Sequence, residues 1–184
     1  MLLVKYVLAT VLIGLVYSEL LAQNQGVSAV QDLENILPEK ARADIQNEWL
    51  QERFDTILPK LMERAGIDMW LVINREYNED PVYLTLVPEP HMFARRLSIL
   101  IFYYRSESNE VERYTGNFYN IGDWYSSIYT DITQDQFEVL ADFIKDKDPR
   151  RIGINVSDDF ALADGLSASL QRRLEKGLGN THAT

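Results

Sequence analysis

Two nearly continuous apolar runs, Ile67–Ile73 (IDMWLVI) and Leu97–Tyr104 (LSILIFYY), constrain this chain more than anything else in it. Each has the length of a strand, and each is apolar at almost every position rather than at every second one. A strand of that kind has to be covered on both faces. A sheet lying between helices supplies the cover, so the expected class is α/β, a mixed sheet flanked by helices.

The rest of the chain offers those helices. Pro38-Glu39 suits a helix start, since proline fits the first turn and an acid favours that end. Leu50, Phe54, Ile57, Leu58, Leu61, Met62 and Ala65 then fall on one face, and Gly66 is a natural stop. Pro59 predicts a kink or a split near Leu58. Ser106–Asn109 reads as a turn, and Val111–Thr115 alternates, so the second apolar run and this segment form a hairpin. Thr133 and Gln136 match a capping box, Phe137, Leu140, Ala141 and Ile144 give the following helix its buried stripe, and Asp148-Pro149 ends it. Ile152–Val156 reads as a further strand. Leu162, Leu166, Leu170 and Leu174 line a last helix that ends at Gly177. The order is helix, strand, hairpin, helix, strand, helix.

Composition narrows the partners. With 46% hydrophobic and 11% aromatic residues, the 184-residue chain can bury a single core, placed here at residues 38–177. A net charge of −10 and a pI of about 4.7, with no Lys/Arg cluster to offset them, argue against nucleic acid and anionic membrane surfaces. The absence of cysteine excludes disulfides, thiolate metal sites, cysteine nucleophiles and lipoprotein processing. Residues 1–22 read as a signal peptide: Lys5 supplies the positive start, Val7–Tyr17 the apolar stretch, and cleavage fits after Ser18 or Ala22. Residues 23–37 read as a flexible leader and 178–184 as a frayed tail. The expected location is exported, periplasmic or secreted, with no membrane contact after cleavage.

Candidate chemistry is sparse. His91 and His182 are the only histidines, and no HExxH, G-x-S-x-G, Walker loop or G-x-G-x-x-G occurs. No catalytic residue and no metal ligand is therefore assigned. The richest polar cluster is Asn74-Arg75-Glu76-Tyr77-Asn78-Glu79-Asp80-Pro81, just past the carboxyl end of the first strand, where open sheets place ligands. It is a solvated loop with Asp80-Pro81 setting a turn, or a group of three carboxylates and an arginine that serves acid/base work or holds a cation, or part of a contact surface through Arg75, Glu76, Tyr77 and Asp80. Phe118, Tyr119, Trp124, Tyr125 and Tyr129 crowd a second segment. They either close over the sheet as core or form a recognition surface, with Trp124 and Tyr125 as its anchors. Asn155-Val156-Ser157 matches a glycosylation sequon.

Several of these segments resemble one family. Gly66–Ile73 running into Arg75–Pro81, Arg95-Arg96-Leu97, Tyr119–Asp123, Arg150–Ser157 and Ala161–Leu166 are together similar to exported Xaa-Pro aminopeptidase-like proteins of the creatinase/prolidase type, over roughly Ala41 to Leu174. The resemblance implies an N-terminal domain with a ribonuclease H-like layout, preceding a pita-bread catalytic domain that holds a pair of divalent metal ions. It also implies a domain that shapes the entrance for a peptide substrate and contributes to contacts with a second subunit, with the hydrolase chemistry done elsewhere. A stand-alone exported protein-binding module is the alternative. A small hydrolase using Asp80 and His91 is a third.

Overall fold

The structure, a computed structural model, describes residues 36–179. Residues 1–22, read above as a signal peptide, most of the segment read as a leader, and His182 lie outside the described residues. By its internal contacts the chain divides after Arg42, and the sheet and both of its cores belong to the unit beginning at Ala43.

Helix α1 (Glu39–Glu52) passes through a π turn (Arg53–Ile57) into α2 (Leu58–Ala65), which Gly66 closes in the left-handed conformation. The expected split at Pro59 thus takes a specific form. Pro59 has no N–H to give the turn before it, and the Leu58 N–H reaches back to Arg53 O. The extra residue in that turn shifts the buried face. Leu50, Phe54, Leu58 and Met62, four apart, pack inward, whereas Ile57, Leu61 and Ala65 face outward, contrary to the simple helical spacing.

The strands are β1 (Met69–Arg75), β2 (Leu97–Arg105), β3 (Glu110–Thr115), β4 (Ser126–Ser127) and β5 (Ile152–Ile154). They form one mixed sheet in the order β4-β3-β2-β1-β5. β1, β2 and β3 run antiparallel in sequence, and β5 lies parallel on the far side of β1. Val72 opposes Leu100 and Leu71 opposes Ile101, which puts paired apolar side chains on each face. Helix α3 (Gln136–Lys147) and helix α4 (Ala168–Leu178) supply the second layer.

Alternation along β1 and β2 then explains why both runs are apolar throughout. Val72, Leu100 and Phe102 join Leu50, Phe54, Leu58 and Met62 in one core. Met69, Leu71, Ile73, Ile99 and Ile101 join Phe137, Leu140 and Ile144 of α3 and Leu170 and Leu174 of α4 in the other. Each fully buried aliphatic contributes about 1.5–3 kcal/mol. A sheet covered on both faces is what the two runs require.

Several local expectations are corrected. The capping box at Thr133 does not form: Asp135 is the N-cap and accepts from Phe137 N at 2.8 Å, while Thr133 bonds to Asp131 Oδ1. Gln136 is released and donates to Gly116 O at 2.8 Å. The last helix starts only after Ser167, so Leu162 is exposed on a short 3-10 turn and Val156 lies outside β5. Gly177 lies inside α4 rather than ending it; a Cβ there would sit 3.1 Å from Phe137 O, so glycine lets α4 approach α3 closely. Leu178, placed in the frayed tail, is the last residue of α4 and packs on the second core.

One ion-pair network ties α3 to the sheet. Lys147 Nζ and the Tyr114 hydroxyl each lie 2.8 Å from Glu112 Oε2, and Arg105 Nη1 lies 2.9 Å from Oε1. Partial burial pushes the Glu112 carboxyl up, but the hydrogen bonds from Lys147, Tyr114 and Arg105 outweigh it and hold the group at about 2. The unfolded chain, with an ordinary value near 4.5, takes up that proton first. Stability from Glu112 is therefore complete above pH 4.5 and is lost as pH falls towards 2. Glu112→Gln should remove on the order of 1–2 kcal/mol of this acid-dependent stability, after allowing for solvent screening. Urea midpoints measured across that window for both proteins check it.

Candidate functional site

The carboxyl ends of β1 and β3 and the amino end of β2 meet at one edge of the sheet, because Arg75 pairs with Leu97 and Leu100 with Thr115. The amino end of α3 is tied to the same edge through Gln136 and Gly116. A cleft of about 750 Å³ opens there. Glu76, Arg95 and Arg96 form its charged rim, Phe118, Tyr119 and Tyr129 an aromatic wall, and Leu97, Ile132, Gln136 and Asn117 the remainder.

Two of these side chains are unusual. Asn117 is 4% exposed, and among the described residues neither its Oδ1 nor its Nδ2 has a hydrogen-bond partner. Its backbone, by contrast, is fixed: the N–H donates to Thr115 Oγ1 and the carbonyl accepts from Ser127 Oγ. Arg96 has a φ of 41°, in the left-handed region that a bulky residue avoids at a cost of about 1–2 kcal/mol. Its carbonyl accepts from Glu76 N at 3.2 Å, which joins the Arg95-Arg96 segment to the loop after β1. Among the described residues neither Arg95 nor Arg96 has an ion-pair partner.

The polar cluster after β1 splits between the two readings. Glu76 lines the cleft, and Arg75 and Tyr77 are exposed, Tyr77 at 93%. Asp80 is buried at 2% exposure and cannot meet a partner or solvent as the sequence suggested. Its Oδ2 accepts from Asn155 Nδ2 at 2.8 Å and its Oδ1 from Val82 N at 3.0 Å, and Asn155 Oδ1 in turn accepts from Trp70 Nε1 at 2.7 Å. Asp80 is thus the pin that fixes the loop after β1 to the end of β5. The same bonds occupy the Asn155 carboxamide, so the sequon residue faces inward.

The aromatic segment splits as well. Tyr125 is core: its ring packs edge-on against Phe54 and Phe102, and its hydroxyl donates to Leu86 O. Burial raises that hydroxyl well above its ordinary value, so it is a fixed donor at neutral pH. Trp124 is half-buried beside Phe54 and lines a smaller cleft of about 280 Å³ with His91 and Tyr119. Phe118 and Tyr119 are the exposed members. His91 is half-buried 6.3 Å from the Tyr83 ring, and burial followed by the nearby Arg95 lowers its pKa. Among the described residues no hydrogen bond joins His91 to Asp80.

No family model, no curated protein and no solved structure matches this chain. Function is therefore read from the site itself. Among the described residues no group of three or more His, Asp or Glu side chains stands where it would hold a metal ion.

Of the six contact residues that the sequence put forward, Glu76 alone lines this cleft; Arg75, Tyr77, Asp80, Trp124 and Tyr125 do not. Arg95 and Arg96 carried a signal, two arginines entering an apolar strand. Asn117 carried none, since its burial depends on the long-range pairing of β2 with β3.

Proposed function

We propose that this chain is a non-catalytic domain of the creatinase/prolidase type that works by contact within an Xaa-Pro aminopeptidase-like metallopeptidase. Its role is to shape the entrance for a peptide and to meet a catalytic domain and a second subunit. The divalent metal pair, which would activate water for attack on the bond before proline, belongs to that catalytic domain. Export to the periplasm or the medium is part of the same proposal and rests on residues 1–22. A mixed sheet with helices on both faces is compatible with the ribonuclease H-like layout that the resemblance implies.

The observation that carries a contact role is the surface around the cleft. Met92, Phe93, Phe118, Tyr119 and Ile132 are all exposed, and two clefts sharing Arg95 and Tyr119 bring them together. Aromatic, Met and Arg side chains are the residues enriched where proteins meet, because they bury much area and pair specifically. The same surface favours the second reading, a stand-alone exported binding module.

The DNA beyond the codon for Thr184 distinguishes the two. A continuation encoding two Asp, one His and two Glu in a pita-bread domain is the expected result. An intergenic sequence with no such domain, in any frame, would move the reading to the stand-alone module.

A further inference from the structure

We propose that the cleft at the β1–β3 edge binds a small carboxylate carrying an amide and a flat apolar group, the chemistry of an N-acylated aromatic amino acid or of a peptide's aromatic C-terminal residue. This does not rest on the family reading. Three independent features of the cleft select the three parts of that ligand.

The carboxylate is selected by Arg95 and Arg96. Against a net charge of −10, two exposed guanidinium groups without an ion-pair partner among the described residues form a local positive spot. Glu76 on the same rim offsets one of them and leaves an excess of one positive charge. A guanidinium fork matches a carboxylate in two parallel hydrogen bonds. The φ of 41° at Arg96 adds weight, since glycine would hold that conformation without strain and yet an arginine occupies it.

The amide is selected by Asn117. Its carboxamide offers one donor group and one acceptor side by side, the complement of a peptide unit. Left unpartnered in a buried position, each polar group costs roughly 1–3 kcal/mol. Ser127 and Thr115 hold the backbone on either side, so the side chain cannot escape by moving the loop. The carboxamide atoms lie covered just behind the cleft lining, so a ligand amide pairs with them only as the Asn117 side chain turns into the cleft, and that pairing removes the cost. The flat group is selected by Phe118, Tyr119 and Tyr129, of which Phe118 and Tyr129 already stand edge to face at 6.1 Å.

The test uses the whole chain with N-acetyl-L-phenylalanine and its carboxamide, N-acetyl-L-phenylalaninamide, followed by NMR titration. The acid should saturate, with amide shifts concentrated at residues 95–97 and 116–119, and the carboxamide should bind about tenfold more weakly, a difference of about 1.4 kcal/mol. Arg96→Gly should weaken the acid by a similar factor while leaving the melting temperature unchanged or higher, which a purely structural arginine would not do. Asn117→Leu should weaken it as well, and if that variant melts early, Arg96→Gly alone decides. The peptide Gly-Gly-Gly-Phe, with a free carboxylate, separates the sources. Equal binding assigns the site to chain termini, and binding of the acetylated amino acid alone assigns it to a free small acid. Equal affinity for acid and carboxamide, an unaffected Arg96→Gly variant, or no saturation at about 10 mM would overturn the proposal.

Discussion

Phe102→Ala is expected to destabilise the fold by about 3–5 kcal/mol, the usual cost of deleting a buried phenyl ring. Phe102 has no exposure, lies at the centre of β2 and touches rings from three other segments. It stacks on Trp70 of β1 at 5.3 Å, and meets Phe54 of the π turn at 6.1 Å and Tyr125 at 5.9 Å. Two of these rings are held against collapse into the space, because the Tyr125 hydroxyl is tied to Leu86 and Phe54 carries Arg113 over its ring at 4.6 Å. For a domain of this size the loss corresponds to a fall in melting temperature of about 10–15 °C. Phe102→Leu keeps most of the volume and should cost less than half as much. Thermal melts followed by circular dichroism read both. A shift under about 2 °C for Phe102→Ala would show that the rings do not form one core.

Gly165→Ala is expected to cost roughly 2–4 kcal/mol, although the added group is one methyl. A Cβ on Gly165 would fall inside the Asp80 carboxyl group. That group cannot step aside without breaking its bonds to Asn155 and Val82 N, and Leu166 N is itself bonded to Asn155 O at 3.0 Å. Asp80→Ala alone leaves the Asn155 amide and Val82 N unpaired and should cost about 2–3 kcal/mol. In the double variant the clash disappears, so the two costs should fall short of additive by more than about 1 kcal/mol. Urea midpoints of the four proteins give the coupling. Additive costs would mean that Gly165 and Asp80 do not meet.

These two sites show where the sequence was legible. The apolar runs at Ile67–Ile73 and Leu97–Tyr104 announced a sheet covered on both faces, since a two-residue period cannot otherwise be apolar throughout. The α3 stripe of Phe137, Leu140, Ala141 and Ile144 is buried as its spacing required. What the spacing hid was non-local. Ile57 and Leu61 turn outward because a π turn ahead of Pro59 adds a residue, which no helical period encodes. Asp80 looked like part of a solvated charge run until Asn155, 75 positions later, closed over it. Thr133 bonds to Asp131 instead, and Asp135 takes the cap.

The cleft divides in the same way. Glu76 and the exposed Tyr119 belonged to segments the sequence singled out, and Arg95-Arg96 to one that the family resemblance singled out. Trp124 and Tyr125, the anchors that the sequence favoured, lie against the core and within it rather than in the main cleft. Burial of one ring and exposure of its neighbour depend on the loop's path, and composition is blind to that path.

The proposal that this chain works by contact and performs no peptide chemistry of its own is tested most directly with a purified preparation and an Xaa-Pro dipeptide. Release of the first residue is monitored with manganese, cobalt or zinc added, and again with a chelator. The expected result is no turnover above the metal-only control in any condition. Turnover that appears with metal, scales with the chain and vanishes on chelation would contradict it.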